Sequence, residues 1–263
     1  MSSAVALIAL QDRIRRIERP GALRHGVLPF RIDAIDSALP GGGLALGAVH
    51  EFHGSGPDEE DGAAAAGFAA GIAGRLDQGL VLWVLKRGDL YGPGLAEHGL
   101  DPARIVRVTA QRDDDILWAL EEGLRTAGIA AAIGEVGKLS MVAGRRLQLA
   151  AERSGVTALL LRRWRNAAEA AAERARPSAA VTRWRVAAIP SLPTPGLNDE
   201  PGIGTPRWRV ELLRCRGAEA AQMSWNVEVA DASGLVSVPA ELGDRPAAPQ
   251  WPAAEPQAWR ATG

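Results

Sequence analysis

Cysteine and long apolar runs are scarce in this sequence of 263 residues. The single Cys215 excludes an internal disulfide framework and a metal cluster built on cysteines, which fits a reducing compartment. No apolar run reaches the roughly 18–20 residues that a membrane-spanning helix needs. Near the N-terminus the apolar stretch precedes the basic residues, the reverse of a secretory signal peptide. We therefore expect a cytoplasmic protein without membrane contact.

Net charge is also nearly absent, at −1, so no overall field directs the chain to nucleic acid or to lipid. Lysine occurs only at Lys86 and Lys138, and arginine supplies the rest of the positive charge in clusters. Eight tryptophans accompany one tyrosine and three phenylalanines, and several of the tryptophans adjoin arginines. Hydrophobic residues make up 47% of the chain, which is enough for a globular core.

Residues 1–22 are predicted to form a helical arm that is separate from the core. Pro20-Gly21 would end this amphipathic helix, and an isolated helix of its length is marginal in water, so its apolar stripe must be buried. We expect the stripe to bind a partner or a second copy of the chain; the alternative is that it folds back on its own domain. Its residues recur at spacings of three and four: Leu7, Leu10, Ile14 and Ile17.

Residues 23–242 are predicted to form an α/β core. Residues 22–32 are expected to be a linker, and a short helix with Asp33 as its N-cap is expected at 32–39. Beyond it, short uninterrupted apolar strands alternate with helices, a pattern typical of a parallel sheet covered on both faces. The strands are expected at 48–52, 80–85, 105–108, 130–136 and 156–161, and the helices at 63–76, 114–126 and 141–154.

The last third of the chain has a different pattern. Residues 165–176 permit a helix but offer little apolar surface, and residues 243–263 carry prolines spaced through alanine and glutamine, which predicts a disordered tail. Between these segments, strands separated by turn signals indicate antiparallel hairpins at the edge of the sheet. These strands are expected at 181–189, 208–214, 225–230 and 235–238.

The turn before the helix at 63–76 looks like a phosphate-binding loop without its phosphate-binding residues. A working loop ends in Gly-Lys-Ser/Thr, where the lysine binds phosphates and the hydroxyl binds Mg²⁺. Gly54, Gly56 and Gly62 are present, but the segment 58–61 reads Asp-Glu-Glu-Asp, and four carboxylates repel a triphosphate. Taken alone, the pattern also fits an ordinary turn whose acidic residues cap a helix.

The residues before this turn carry a resemblance to a known family. Residues 30–43 read FRIDAIDSALPGGG, and with Gly47, Glu51 and Gly54 they resemble the opening of the RecA core. The strings LPGGGL at 39–44, PSAAVTRWRV at 177–186 and WRVELLRCRG at 208–217 resemble the ImuA family, over about residues 5–240. This resemblance implies a RecA-like fold and a role in the SOS response to DNA damage, as an accessory of bacterial error-prone translesion synthesis.

The resemblance also marks the positions where a RecA-type ATPase needs its catalytic residues. The phosphate-binding lysine and the Mg²⁺-binding hydroxyl are missing, as described above. Lys86-Arg-Gly-Asp89 stands where the water-activating glutamate would be, and Glu135 follows the strand where an aspartate would organise Mg²⁺. We therefore expect no cofactor, no catalytic residue and no ATP hydrolysis, with Gly54, Gly56, Gly62 and Glu135 as vestiges of a nucleotide site.

A cluster of arginines and tryptophans follows the strand at 156–161, where the resemblance implies contact with single-stranded DNA. Arginine pairs with phosphates and tryptophan stacks on bases, so both residue types suit this role. The alternative is a solvated charged face, partly neutralised by Glu169 and Glu173, with the tryptophans packed in the core. The candidate DNA contacts are Arg162, Arg163, Arg165, Arg174 and Arg176.

The family further implies partners: ImuB, which is an inactive relative of Y-family polymerases, and an error-prone C-family polymerase. RecA and a second copy of the chain are further candidates. No metal site is expected, because His50 and His53 are spaced i, i+3 on a strand and do not aim both rings at one ion. Two other functions stay open: an ATP-binding RecA-like repair protein with an atypical loop, and a SulA-like inhibitor of cell division.

Overall fold

The computed structural model describes residues 24–55, 58–76, 79–86, 88–164, 166–191, 204–218, 223–229 and 236–237. The predicted arm at 1–22, with Leu7, Leu10, Ile14 and Ile17, lies outside these residues, as does the predicted tail at 243–263. Within the described ranges, no helix is both long enough and apolar enough to cross a membrane.

Most of the described strands belong to one large mixed sheet. A separate small sheet pairs β1 (Val27–Leu28) with β2 (Leu44–Ala45) in antiparallel fashion. The large sheet has the order β11-β10-β9-β8-β3-β7-β6-β4-β5. Its strands are β3 (Val49–His53), β4 (Leu80–Leu85), β5 (Ile105–Thr109), β6 (Ile129–Val136), β7 (Thr157–Arg162), β8 (Thr182–Ile189), β9 (Arg207–Cys215), β10 (Met223–Val229) and β11 (Val236–Ser237).

Strand direction divides the large sheet into two parts. From β5 across to β8, every neighbouring pair is parallel. From β8 to β11, every pair is antiparallel. The prediction of an α/β fold with a mostly parallel sheet is therefore confirmed, and the antiparallel strands lie at one edge.

Six α-helices occur in the described residues, and several of their ends have identifiable caps. The Ser140 hydroxyl accepts the Ala143 N–H at 3.1 Å at the start of α5, and Gly155, with φ +85°, ends that helix. The helices are α1 (Asp33–Asp36), α2 (Asp58–Gly74), α3 (Gly92–Glu97), α4 (Asp113–Arg125), α5 (Met141–Ser154) and α6 (Ala167–Arg174).

The segment expected to be a linker is part of the core instead, so that prediction was wrong. Phe30 and Ile32 are buried, and the Phe30 ring stacks on Phe68 of α2 at 5.8 Å. The prediction that Asp33 is the N-cap of α1 was also wrong. Asp33 is the first residue of the helix, and Ile32 occupies the N-cap position. The Asp36 carboxylate accepts the backbone N–H groups of Phe30 and Arg31 at 2.7 and 2.8 Å, which fixes the chain entering the helix.

The central strands β4, β6 and β7 are buried on both faces, which explains why they are largely apolar runs. In β4, Trp83 belongs to the core on the face covered by α2, whereas Leu82 and Val84 belong to the core covered by α4 and α5. A parallel strand with helices on both sides needs no polar face. This burial places the carboxyl ends of the central strands between two packed layers.

The glycines at 41–43 have a structural role in the turn before β2. Gly41 and Gly42 have φ angles of +82° and +80°, a conformation that disfavours other residues. At Gly43, a Cβ atom would lie 2.7 Å from the backbone carbonyl of Leu28. The glycines that resemble the RecA opening therefore shape the β1–β2 pair.

Candidate functional site

The carboxyl ends of β3 and β7 lie side by side at the middle of the sheet, next to the first residues of β8. Glu51 of β3 is in register with Leu160 of β7 on one side and Arg183 of β8 on the other. Open α/β sheets bind ligands at the carboxyl ends of their strands. Here the position is occupied by a group of buried polar residues, which we call the central ion-pair network: Glu51, Arg162, Glu173, Ser178 and Arg183.

Glu51 is the centre of this network, and only 1% of it is exposed. Its Oε2 atom accepts hydrogen bonds from Arg162 Nη1 and Arg183 Nε, each at 3.1 Å. Its Oε1 atom accepts a hydrogen bond from the Ser178 hydroxyl. A buried carboxylate is tolerated only when paired and hydrogen-bonded, and three donors meet that requirement.

Arg162 connects the network to two further elements. Its Nη2 atom donates to Glu173 of α6 at 3.0 Å and to the Gly137 carbonyl at 2.9 Å, while Nε donates to the Val136 carbonyl at 3.3 Å. Only 3% of the side chain is exposed. We therefore reassign Arg162 from the DNA-contact candidates to the fold, because reaching a phosphate would break two buried ion pairs.

The other arginines predicted to contact DNA are placed differently. Arg163 pairs with Glu135 at 2.8 Å, and Arg174 lies over the Trp164 ring, 5.6 Å from its centroid. Burial and neighbouring Arg185 lower the pKa of Arg174. The Arg176 side chain is 60% exposed and lies 3.4 Å from Glu173, whereas Arg165 is outside the described residues.

The two tryptophans beside these arginines are in the core, which agrees with the alternative to base stacking. Trp164 is 4% exposed, and its Nε1 donates to the Gly137 carbonyl at 3.2 Å. Trp184 is fully buried, and its Nε1 donates to the Thr182 hydroxyl at 2.7 Å. Neither ring is accessible to a base in this structure.

The positions that resembled a nucleotide site contain ion pairs. Lys86, after β4, lies 2.6 Å from Asp113 at the start of α4, and Glu135 of β6 pairs with Arg163. Burial alone would raise the pKa of Asp113, but hydrogen bonds from Lys86 and from the Lys138 and Gly137 backbone hold it below its usual value.

The three glycines of the presumed phosphate loop also differ in position. Gly54 is buried directly after β3, and Gly62 lies inside α2, which begins at Asp58 and not at residue 63. Acidic residues favour such an early start because they suit the positive end of the helix dipole. Gly56 lies outside the described residues.

Two buried histidines flank Glu51, and both have lowered pKa values. Burial lowers the pKa of His53 to about 4, its Nδ1–H donates to the Gly54 carbonyl at 2.8 Å, and its ring packs on Trp164 with centroids 5.1 Å apart. Burial also lowers the pKa of His50 to about 4. No group of three His, Cys, Asp or Glu side chains that could hold a metal ion occurs within the described part of the chain.

The tautomer of His50 follows from its two partners. Nε2 lies 2.8 Å from the Ala45 carbonyl, which can only accept, so Nε2 carries the proton. Nδ1 then accepts from the Thr182 hydroxyl at 2.7 Å, and that hydroxyl accepts from Trp184 Nε1. With the ring neutral, hydrogen bonds connect the Trp184 Nε1–H, the Thr182 hydroxyl, both His50 ring nitrogens and the Ala45 carbonyl in one series.

Sequence reasoning missed the role of Glu51, although one signal was present. Glu51 and two histidines interrupt an otherwise apolar segment that is predicted to be a strand, and buried charges need partners. Ser178 and Arg183 gave no local signal. Cys215 is buried at the end of β9, where burial raises the pKa of its thiol to about 11.

Comparison with known proteins assigns the family. No family model matches the chain. Two proteins named Protein ImuA, from two strains of Caulobacter vibrioides, are each 44% identical over 196 residues, which cover 73% of this chain and 79% of the relative. The chain belongs to the ImuA family. The crystal structure of SulA from Pseudomonas aeruginosa is similar at 22% identity and a TM-score of 0.38, over 44% of this chain and 98% of that one.

The central ion-pair network leads to a prediction for this ImuA-family chain. Glu51→Gln should lower the free energy of unfolding by about 3–5 kcal/mol, because Arg183 then stays buried without its carboxylate. Glu122→Gln is the matched control, since it removes an ion pair to Arg125 in which both side chains are at least half exposed, and should change stability by less than about 1 kcal/mol. Urea denaturation at neutral pH measures both free energies of unfolding, and equal losses would contradict the stabilising role of the Glu51 carboxylate.

The buried His50 predicts a dependence of stability on pH. Because its folded pKa is lowered from 6.5 to about 4, its contribution is complete above pH 6.5 and is lost as the pH falls towards 4. The loss amounts to about 3 kcal/mol. Urea denaturation across this range should therefore give a shallower pH slope for His50→Asn than for the unmodified chain. A His50→Asn slope equal to that of the unmodified chain would refute the assignment.

Proposed function

We propose that the chain is a non-catalytic accessory protein of a damage-induced, error-prone translesion synthesis complex. Membership of the ImuA family supports the biological setting. The observation that carries the non-catalytic part is that the charges at the strand ends pair with one another. Lys86 pairs with Asp113, Arg163 with Glu135 and Arg162 with Glu51.

These pairs are a physical argument against nucleotide chemistry. A phosphate-binding loop needs a lysine aimed at the β- and γ-phosphates and, directly after it, a hydroxyl on Mg²⁺; the turn after β3 contains no lysine and no Gly-Lys-Ser/Thr sequence. A triphosphate would have to displace Asp113 from Lys86 or Glu135 from Arg163 to find a cation. We infer a RecA-like scaffold, supported by six parallel strands with β3 inside the sheet, that has lost nucleotide binding.

The proposed mechanism is assembly. The chain would act in the cytoplasm by binding an ImuB-like polymerase relative, an error-prone C-family polymerase, RecA or further copies of itself. Residues 1–22, with the stripe Leu7, Leu10, Ile14 and Ile17, are the proposed arm for one of these contacts. A chain whose internal charges pair with one another needs no bound cofactor for such a role.

The first test compares nucleotide binding with mutagenesis. Adding about 5 mM Mg-ATP should shift the melting temperature of the purified chain by less than about 1 °C, whereas a ligand at 100 times its Kd would stabilise it by about 2.7 kcal/mol. In cells lacking the gene, the unmodified chain and Glu135→Gln should both restore damage-induced mutagenesis, since Glu135 is assigned no catalytic role.

The competing functions give different outcomes in that test. A residual NTPase predicts a large thermal shift with Mg-ATP and loss of mutagenesis in Glu135→Gln, provided that the variant melts at the temperature of the parent. A SulA-like inhibitor predicts filamentous cells on expression and no effect on mutagenesis. Either result would refute the proposed function.

Contact with single-stranded DNA is a second proposal, and the exposed Arg176 favours it. The double variant Arg174→Ala, Arg176→Ala should bind a single-stranded oligonucleotide more weakly. Because each phosphate contact contributes about 0.7 to the slope of log K against log salt, its slope should be flatter by about 1.4. Arg107→Ala, at an exposed arginine on the edge strand β5, is the control. Equal affinities and slopes in anisotropy titrations would exclude these two arginines.

A further inference from the structure

Exposed apolar side chains are concentrated on the neighbouring helices α4 and α5. Among the described residues, eight large hydrophobic side chains are exposed, and half of them lie on these two helices. The four are Trp118, Met141, Val142 and Leu149. Trp118 is 65% exposed and Val142 72% exposed. Exposed apolar side chains that are concentrated on two packed helices are typical of an interaction site in soluble proteins.

The two helices form one surface. The backbone N–H groups of Gly137 and Lys138, just before α5, donate to Asp113 at the start of α4 at 3.2 and 3.1 Å, so the helices begin side by side. Further along, Arg146 of α5 donates to Glu121 of α4. The exposed residues therefore fall into two stripes, Trp118 and Arg125 on α4 and Val142, Arg146, Leu149 and Arg153 on α5, and the buried Glu121 pairs with Arg146 from one helix to the other.

A groove runs between these stripes, and it is positively charged. Its lining includes Leu149 together with Glu121, Arg125, Arg146 and Arg153. Glu121 is shared by Arg125 and Arg146, whose side chains are 57% and 61% exposed. Arg153 is exposed and forms no ion pair within the described residues. Three arginines against one glutamate leave the groove with a net charge of +2.

We propose that this α4–α5 groove binds an acidic amphipathic helix of a partner protein. Apolar residues at helical spacing match an apolar helix face, as in other helix-in-groove complexes. Carboxylates along the edge of that helix would pair with Arg125, Arg146 and Arg153, which favours acidic over basic partners. Only the choice of partner for the first experiment rests on the proposed function.

Charge and sequence argue against other occupants. The arm of a second copy carries four arginines against Asp12 and Glu18, so its charge has the same sign as that of the groove. Residues 243–263 contain four prolines, which prevent a continuous helix.

The first experiment measures binding of the full chain to the ImuB-like protein of the same organism. Trp118→Ala and Val142→Asp should each weaken binding roughly 10-fold or more, because a central aromatic anchor or an apolar contact is lost. Arg153→Glu should weaken binding and largely abolish its dependence on salt, because it lowers the net charge of the groove from +2 to zero. Tyr91→Ala is the control, since Tyr91 lies before α3 and is 71% exposed; it should change affinity less than about two-fold.

A second probe separates failure of the groove from failure of the proposed partner. A helical peptide of about 20 residues, with leucines at helical spacing and glutamates elsewhere, should bind the unmodified chain but not Trp118→Ala. The same peptide with lysines in place of glutamates should not bind. If the ImuB-like protein does not bind at all, the proposed partner is refuted. The two peptides alone then test whether the groove binds an acidic helix.

Two results would overturn the groove proposal. In the first, the acidic and basic peptides bind equally well, and Trp118→Ala, Val142→Asp and Arg153→Glu all leave the affinity for the ImuB-like protein unchanged. In the second, a single-stranded oligonucleotide binds in a way that depends on Trp118, while the ImuB-like protein and the acidic peptide do not bind. In each variant, a melting temperature equal to that of the parent ensures that the surface alone has changed.

Discussion

The buried carboxylate of Glu51 is the constraint on which the middle of this molecule depends. It lies on β3 and receives guanidinium groups from β7 and β8, the two strands that flank β3. Arg162 extends the same network to the end of β6 and to Glu173 of α6. Because a charge in this interior is tolerated only with partners in good geometry, the network fixes the relative positions of four strand ends and one helix.

This arrangement also explains why a surplus of arginine near the strand ends does not make an anion site there. Arginine was concentrated in the sequence after β7, but Arg162 and Arg163 are both neutralised by glutamates of neighbouring strands. A nucleotide site works in the opposite way, because it keeps cations unpaired until the phosphates arrive. The internal pairing of charge and the missing lysine and hydroxyl of the loop are therefore two independent arguments for the same proposal.

Sequence patterns predicted the regular parts of the fold and missed the parts that depend on distant contacts. The helix at 141–154 was predicted to the residue because Ser140 and Gly155 are local signals. The strand β1 was missed because two residues have no periodicity, and its reason to exist is a partner at 44–45. Likewise, the burial of Arg162 follows from a glutamate 111 residues away, which no local pattern reveals.

The distribution of polar and apolar residues separates the two sites in kind. At the strand ends, charged side chains are inside and satisfied, so a ligand there would have to disrupt the fold. On α4 and α5, tryptophan and valine face water and the paired arginines are more than half exposed, so a partner there would bury apolar surface while the pairs of the central ion-pair network stay intact. A partner is expected to bind at the surface where burial lowers the free energy most. By that criterion the outer helices, and not the former nucleotide position, are where this chain should bind its partner.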